Sequence, residues 1–192
     1  MPRLEPLPLS AVPELEDVFE EGERLMGFLP NDGLTVARRP DVLRGLLALT
    51  QGVYGSPDNT LDGGLKRLIG EVASRAAGCQ YCQAHAAHSA HRLGVDEAKL
   101  EALWTFETND LFSEAERVAL RLAARAALSP NAATDDDFAA LKKHYDEGQI
   151  VEIVAVIALF GFLNRWNSTL QTSLEPGPSA FQQEVARRSS NE

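Results

Sequence analysis

The sequence predicts an all-α fold. Apolar residues recur at spacings of three and four through nearly every segment after Glu14. Helix starts and stops punctuate that pattern at regular intervals. No stretch keeps the period-two alternation of a half-buried strand over a useful length. With 192 residues, 44% hydrophobic and 24% charged, the chain reads as one globular domain spanning 1–192.

Pro2, Pro6, Pro8 and Pro13 keep residues 1–13 out of helix and imply an extended arm, which needs a surface to lie on, such as another subunit. Leu15, Val18, Phe19 and Met26 then recur at helical spacing between acidic residues. Pro40 opens a helix whose apolar face is Val42, Leu43, Leu46, Leu47 and Leu49, ending in the turn cluster 52–59. Residues 61–77 form the next, with Leu65, Leu68, Ile69, Val72 and Ala76 inward. Gly78 breaks it, and a further helix runs to Arg92 and closes at Gly94; 61–94 is thus a helix pair. Asp96 caps a helix that reaches Phe106. Residues 113–171 carry the later helices: Ser113 with Glu116 is a capping-box pattern, Pro130 stops that helix, and Thr134 with Asp137 opens one reaching Tyr145. The last helix covers Gln149 to Leu170, and its run Ile153–Leu163 reads as buried, with Arg165 buried deeply enough to need a partner. The tail 176–192 is polar and reads as a second docking arm.

The net charge of −10 argues against nucleic acid, which requires a basic face. No run approaches the ~18 apolar residues that would span a bilayer. The N-terminus lacks the apolar core and small-residue cleavage site of a signal peptide, so the cytoplasm is the expected compartment.

The two cysteines, Cys79 and Cys82, form a Cys-x-x-Cys, and His85 follows three residues later. In a reducing compartment that spacing points to redox or metal chemistry rather than a structural staple. The all-α frame excludes thioredoxin, which needs a βαβ unit. Gln83 after the second cysteine excludes c-type haem attachment. Cys79, Cys82, His85 and His88 fan around one helix and cannot by themselves enclose a tetrahedral zinc ion, so neither metal nor organic cofactor is expected.

Residues three apart share a helix face, so Cys79, Cys82 and His85 form one ridge. Free N–H groups of a first helical turn favour thiolate, and His85 can take the Cys82 proton. Gly78 leaves room for close approach. An activated thiolate beside a second thiol suits attack on a peroxide oxygen, followed by resolution of the sulfenic acid to a disulfide. Tyr81, between the cysteines, can shape a pocket or simply pack. His88 can extend a proton relay or sit on the helix face near solvent; His91 reads as surface.

The block SRAAGCQYCQAHAAHSAHRLG resembles the core motif of the alkylhydroperoxidase D (AhpD)/carboxymuconolactone decarboxylase family, and 112–170 resembles the second half of its longer peroxidase-related members. The resemblance implies an AhpD-like helical bundle that assembles as a homo-oligomer (dimer, trimer or hexamer). It also implies a hydroperoxide reductase recharged by an external dithiol or redox protein. Two departures stand out. The family histidine lies four residues after the second cysteine, where this chain has Ala86, so His85 substitutes. The family's relay glutamate lies twelve residues before the first cysteine, where this chain has Arg67; Glu71, one turn along, is the candidate replacement. The helix terminus favours Cys79 as the reactive thiol, and as the more exposed one. The His85 pairing and the resemblance favour Cys82, to which we assign the attack, with Cys79 resolving. The alternatives are a thiol-disulfide adaptor without peroxide turnover, and the lactone decarboxylase chemistry of the other family branch.

Overall fold

Helix α4 (Gly63–Ala76) occupies the centre: residues Gly64–Ser74 are all buried, the apolar Leu65, Leu68, Ile69 and Val72 together with the polar Lys66, Arg67, Glu71 and Ser74. Asp62 starts it, its carboxylate accepting the Leu65 N–H at 2.8 Å. In the computed structural model, which describes residues 1–189, ten α-helices and no strand are found among the described residues. The first three are α1 (Glu16–Met26), α2 (Asn31–Val36) and α3 (Pro40–Tyr54). After α4 come α5 (Gln80–Arg92), α6 (Glu97–Glu101), α7 (Glu114–Ala126) and α8 (Asp135–Leu141). The chain closes with α9 (Glu147–Leu170) and α10 (Pro176–Ser189).

Helices α5, α7 and α9 pack around α4 and form the main core with Leu68, Ile69, Leu120, Ile153 and Leu159. A second cluster, Val12, Leu15, Val18, Phe19, Val36 and Leu43, joins α1, α2 and α3. The close approach of α4 to α9 requires Gly70, where an added Cβ would stand 2.4 Å from the Phe160 ring. The buried Lys66 ammonium is fully paired, 2.6 Å from Glu152 and donating to the Val53 carbonyl at 2.8 Å.

Several expectations change. The N-terminal arm lies on its own chain, Arg3 donating to the Leu170 and Thr169 carbonyls, and it contains short 3-10 turns at Leu9–Ala11 and Pro13–Leu15. The C-terminal arm is instead the helix α10 packed on α5, Pro176 being tolerated in its first turn; positions 190–192 lie outside the described residues. Helix α6 gives way to a 3-10 turn over Ala102–Thr105. Helix α8 stops at Leu141, and Tyr145 turns to donate to the Ala115 carbonyl at 2.8 Å. Val42 and Leu49 of α3 are exposed, its buried positions being Leu43 and Val53. On α9, 24 residues long and by length and composition able to cross a membrane, only one face is buried: Ile153, Val156 and Phe160 face the core. Val151, Val154 and Phe162 face outward, and so does Arg165, which therefore needs no buried partner.

Candidate active site

Cys79 is the N-cap of α5 rather than its first helical residue. Its extended backbone (φ −89°, ψ 96°) lets its sulfur accept the Cys82 N–H at 3.3 Å, one of the unpaired donors of the first turn. Gly78 is required for its left-handed φ of 72°; a Cβ there would meet nothing within 4 Å, so its role is conformational rather than one of clearance. The two Sγ atoms stand 2.7 Å apart as free thiols. They need almost no movement to bond.

Both cysteines are buried, Cys79 at 1% exposure and Cys82 at 3%, so Cys79 is not the more accessible one. The geometry separates them differently. Cys82 lines a cavity of about 110 Å³ between α1, α2, α3, α4, α5 and α9; Cys79 is not among its lining residues. The hydrogen bond from the Cys82 thiol, with that from the Cys82 N–H, outweighs burial and lowers Cys79 to about 7. Burial raises Cys82, and its hydrogen bond to Cys79 adds to the rise. The resting charge of the pair thus sits on Cys79, while the sulfur that meets the cavity is Cys82.

His85 lines the same cavity, but no hydrogen bond joins it to either thiol among the described residues. Its Nε2 instead meets Glu175 at 2.6 Å, and its ring lies between Tyr81 (centroids 4.1 Å apart) and the edge of Phe28 (4.9 Å). Glu175 ends the segment before α10. It accepts hydrogen bonds from the Tyr81 hydroxyl at 2.8 Å and from the Asn31 N–H. Burial opposes its charge, but His85 and these donors outweigh it and hold Glu175 below the usual carboxylate range. Burial, with Asp32 and Glu175 nearby, lifts Tyr81 well above an ordinary phenol, so it remains a neutral donor.

Asp32, at the start of α2, and Asn167, on α9, complete the polar wall. The Asn167 amide donates to Asp32 at 3.0 Å and lies 3.5 Å from the Cys82 sulfur. Burial raises Asp32 against the pull of His85 and Asn167. The rest of the cavity is apolar, except for Thr50, Tyr54 and Arg67.

Of the residues singled out by sequence, the structure brings Cys79, Cys82, His85 and Tyr81 together. Glu71 is elsewhere. It is 5% exposed and lines a different cavity, with Trp104 and Phe181, on the far side of α5. His88 is half-buried between the rings of Phe28 and Phe181, does not bond His85, and is held below its ordinary value by burial and by Arg92. His91 is exposed, 3.1 Å from Glu97. Sequence reasoning missed Glu175, Asp32 and Asn167. A polar Asn interrupting the apolar face of α9 was the available signal for the last.

A profile of the Carboxymuconolactone decarboxylase family matches residues 40–125. The chain is 38% identical to the debrominase Bmp8 in its apo form, covering 94% of this chain and 96% of that one with a TM-score of 0.87. Against the cysteine-to-alanine variant of Bmp8 in complex with 2,3,4-tribromopyrrole the values are 37%, 94%, 96% and 0.88. An AhpD-core, uncharacterized peroxidase-related protein from Ralstonia eutropha JMP134 shares the fold at 23% identity and a TM-score of 0.81, over 92% of this chain and 94% of that one. The uncharacterized protein YdfG of Bacillus subtilis (strain 168) is 29% identical over 103 residues, 53% of this chain and 68% of that one. The chain belongs to the AhpD/carboxymuconolactone decarboxylase family.

Proposed function

We propose that the protein is a dithiol reductase that removes an electrophilic heteroatom from a small, largely apolar substrate, with a halogenated aromatic ring as the first candidate. The observation that carries this reading is the placement of Cys82 on a largely apolar cavity with Cys79 2.7 Å behind it. One thiol meets the substrate and the other resolves. The apolar lining suits a ring better than hydrogen peroxide, and the nearly full-length similarity to a debrominase supports bromine as the atom transferred.

The chemistry balances without a metal or organic cofactor. The Cys82 proton passes to the Cys79 sulfur across the short sulfur–sulfur contact only as the Cys82 sulfur bonds to the substrate, because His85 is turned toward Glu175 and, among the described residues, bonds neither thiol. The Cys82 sulfur bonds to bromine while the carbon–bromine bond breaks, its electron pair staying on carbon. His85, oriented by Glu175, delivers a proton to that carbon. Cys79 then releases its proton to solvent, the proton that appears in the sum, and its sulfur attacks the Cys82 sulfur and expels bromide. The sum is an aryl bromide and two thiols giving the hydrogen-substituted ring, bromide, a proton and a disulfide. An external dithiol then reduces the pair.

The second reading is an organic hydroperoxide reductase, favoured by the same dithiol and the shared fold of peroxidase-related proteins. There Cys82 takes the terminal peroxide oxygen as sulfenic acid, and Cys79 resolves it with loss of water. The test runs both substrates on the reduced protein, 2,3,4-tribromopyrrole and cumene hydroperoxide, scoring bromide, alcohol and disulfide. The first reading expects one bromide per disulfide formed. Disulfide with the hydroperoxide and no bromide moves the assignment to the second. No disulfide with either contradicts both.

A further inference from the structure

The cavity holds a buried cation with no counter-charge. Arg67 is 6% exposed and lines the space that Cys82 and His85 also line. Its guanidinium carbon lies 3.6 Å above the Tyr54 ring, its Nη1 points at the Met26 sulfur at 4.0 Å, and its Nε has no acceptor. No carboxylate stands within ion-pair distance of it among the described residues. The adjacent Lys66, equally buried, has both a carboxylate and a carbonyl, so the fold pairs the one cation and leaves the other open.

A guanidinium cannot discard its charge by losing a proton. Taking it out of water without a partner is strongly unfavourable unless something else supplies negative charge. The one carboxyl lining the cavity among the described residues, Asp32, is occupied by Asn167 and the Gly33 N–H, and burial pushes it toward the neutral form. The Tyr54 ring face holds the guanidinium in the cavity wall, and its Nε–H, without an acceptor, is a donor left for a bound anion.

We infer that Arg67 is the substrate-recognition residue of this site, and that the substrate is an anion: a small ring carrying an ionised N–H, O–H or carboxyl group that pairs with the guanidinium while the atom to be removed faces Cys82. This rests on the dithiol reading of the same cavity. It adds charge selection, which that reading does not require. The position where the family resemblance implied a proton-relay glutamate thus carries the opposite charge and a different task.

Binding is the readout, because it is independent of turnover. Isothermal titration at pH 8.5 compares 2,4,6-tribromophenol, which is ionised there, with its neutral methyl ether, 2,4,6-tribromoanisole, on the Cys82→Ala protein. The phenolate is expected to bind at least ~30-fold tighter, and Arg67→Met to abolish that preference while Arg67→Lys keeps part of it. Equal binding of the two probes by the parent protein overturns the inference, as does a preference that survives Arg67→Met. If Arg67→Met does not fold, the Arg67-intact protein still decides: phenol affinity must fall as pH drops through the phenol's own pKa, and a flat profile overturns the inference. Failure of the dithiol reading shows separately, as absence of disulfide and bromide in the wild type.

Discussion

Arg67 and Glu71 lie one turn apart on α4, both buried and, among the described residues, neither in an ion pair, yet they line different cavities and meet different fates. Glu71 lodges beneath α10 with Trp104 and Phe181. Burial there, only partly opposed by Arg75, raises it to about 8, so it sheds its charge by keeping a proton. Arg67 has no such escape, and its side of the helix opens into the cavity of Cys82. A buried acid without a partner can become a neutral packing group, whereas a buried guanidinium without a partner marks a place for one.

If chemistry belongs only to the Arg67 side, substitutions on the two faces must separate activity from stability. Cys82→Ser lowers thiol-dependent turnover on the order of 10³-fold or more, as loss of a nucleophile does, whereas Glu71→Gln leaves it within about twofold. Steady-state bromide or alcohol release measures both. A large loss in Glu71→Gln would return that carboxyl to the mechanism.

The stability of Glu71 sharpens the same contrast. Its folded pKa is raised above the unfolded value, so the folded state holds the extra proton between them and stability falls as pH rises from about 4.5 to about 8. At pH 7 the accumulated cost is on the order of 3 kcal/mol. Glu71→Gln removes that slope, so urea unfolding shows its advantage over wild type growing from pH 5 to pH 8.

Glu175 behaves oppositely. Its folded pKa is depressed, so the stabilisation it gives is present above the unfolded value and is lost as pH falls through the folded one. Glu175→Gln frees His85 and is expected to slow turnover roughly 10²-fold, with its KM little changed. The smallest effect concerns the close contact of α4 with α9. Gly70→Ala drives a methyl into Phe160, which lines the Cys82 cavity, and should cost about 1–3 kcal/mol in denaturant unfolding while weakening substrate binding.

What could be read from the sequence follows the range of the interactions. Helix starts at Ser113 and Thr134 were legible because a cap is set by residues three apart. The Cys79–Cys82–His85 ridge was legible for the same reason, being one turn of α5 repeated. Glu175 was not. It meets His85 across 90 residues, and the Pro176-Gly177-Pro178 that follows it reads as a break rather than a helix opening. Asp32 and Asn167 meet each other across 135 residues, which local periodicity cannot encode. Arg67 was visible only as a missing glutamate. Its meaning came from the neighbours it lacks, and those are a property of the packed structure. The relative burial of the thiols was likewise a tertiary outcome, since a helix terminus exposes its first residue only if nothing packs over it.

The central claim is that Cys82 attacks and Cys79 first deprotonates and then resolves it. Mass spectrometry of the reduced wild type, Cys79→Ser and Cys82→Ser after one exposure to 2,3,4-tribromopyrrole, with bromide counted in parallel, tests it most directly. The account predicts a Cys79–Cys82 disulfide with one bromide in wild type. It predicts at most one slow bromide and an oxidised Cys82 without disulfide in Cys79→Ser, and nothing in Cys82→Ser. Bromide release with oxidation at Cys79 in the Cys82→Ser protein would contradict it.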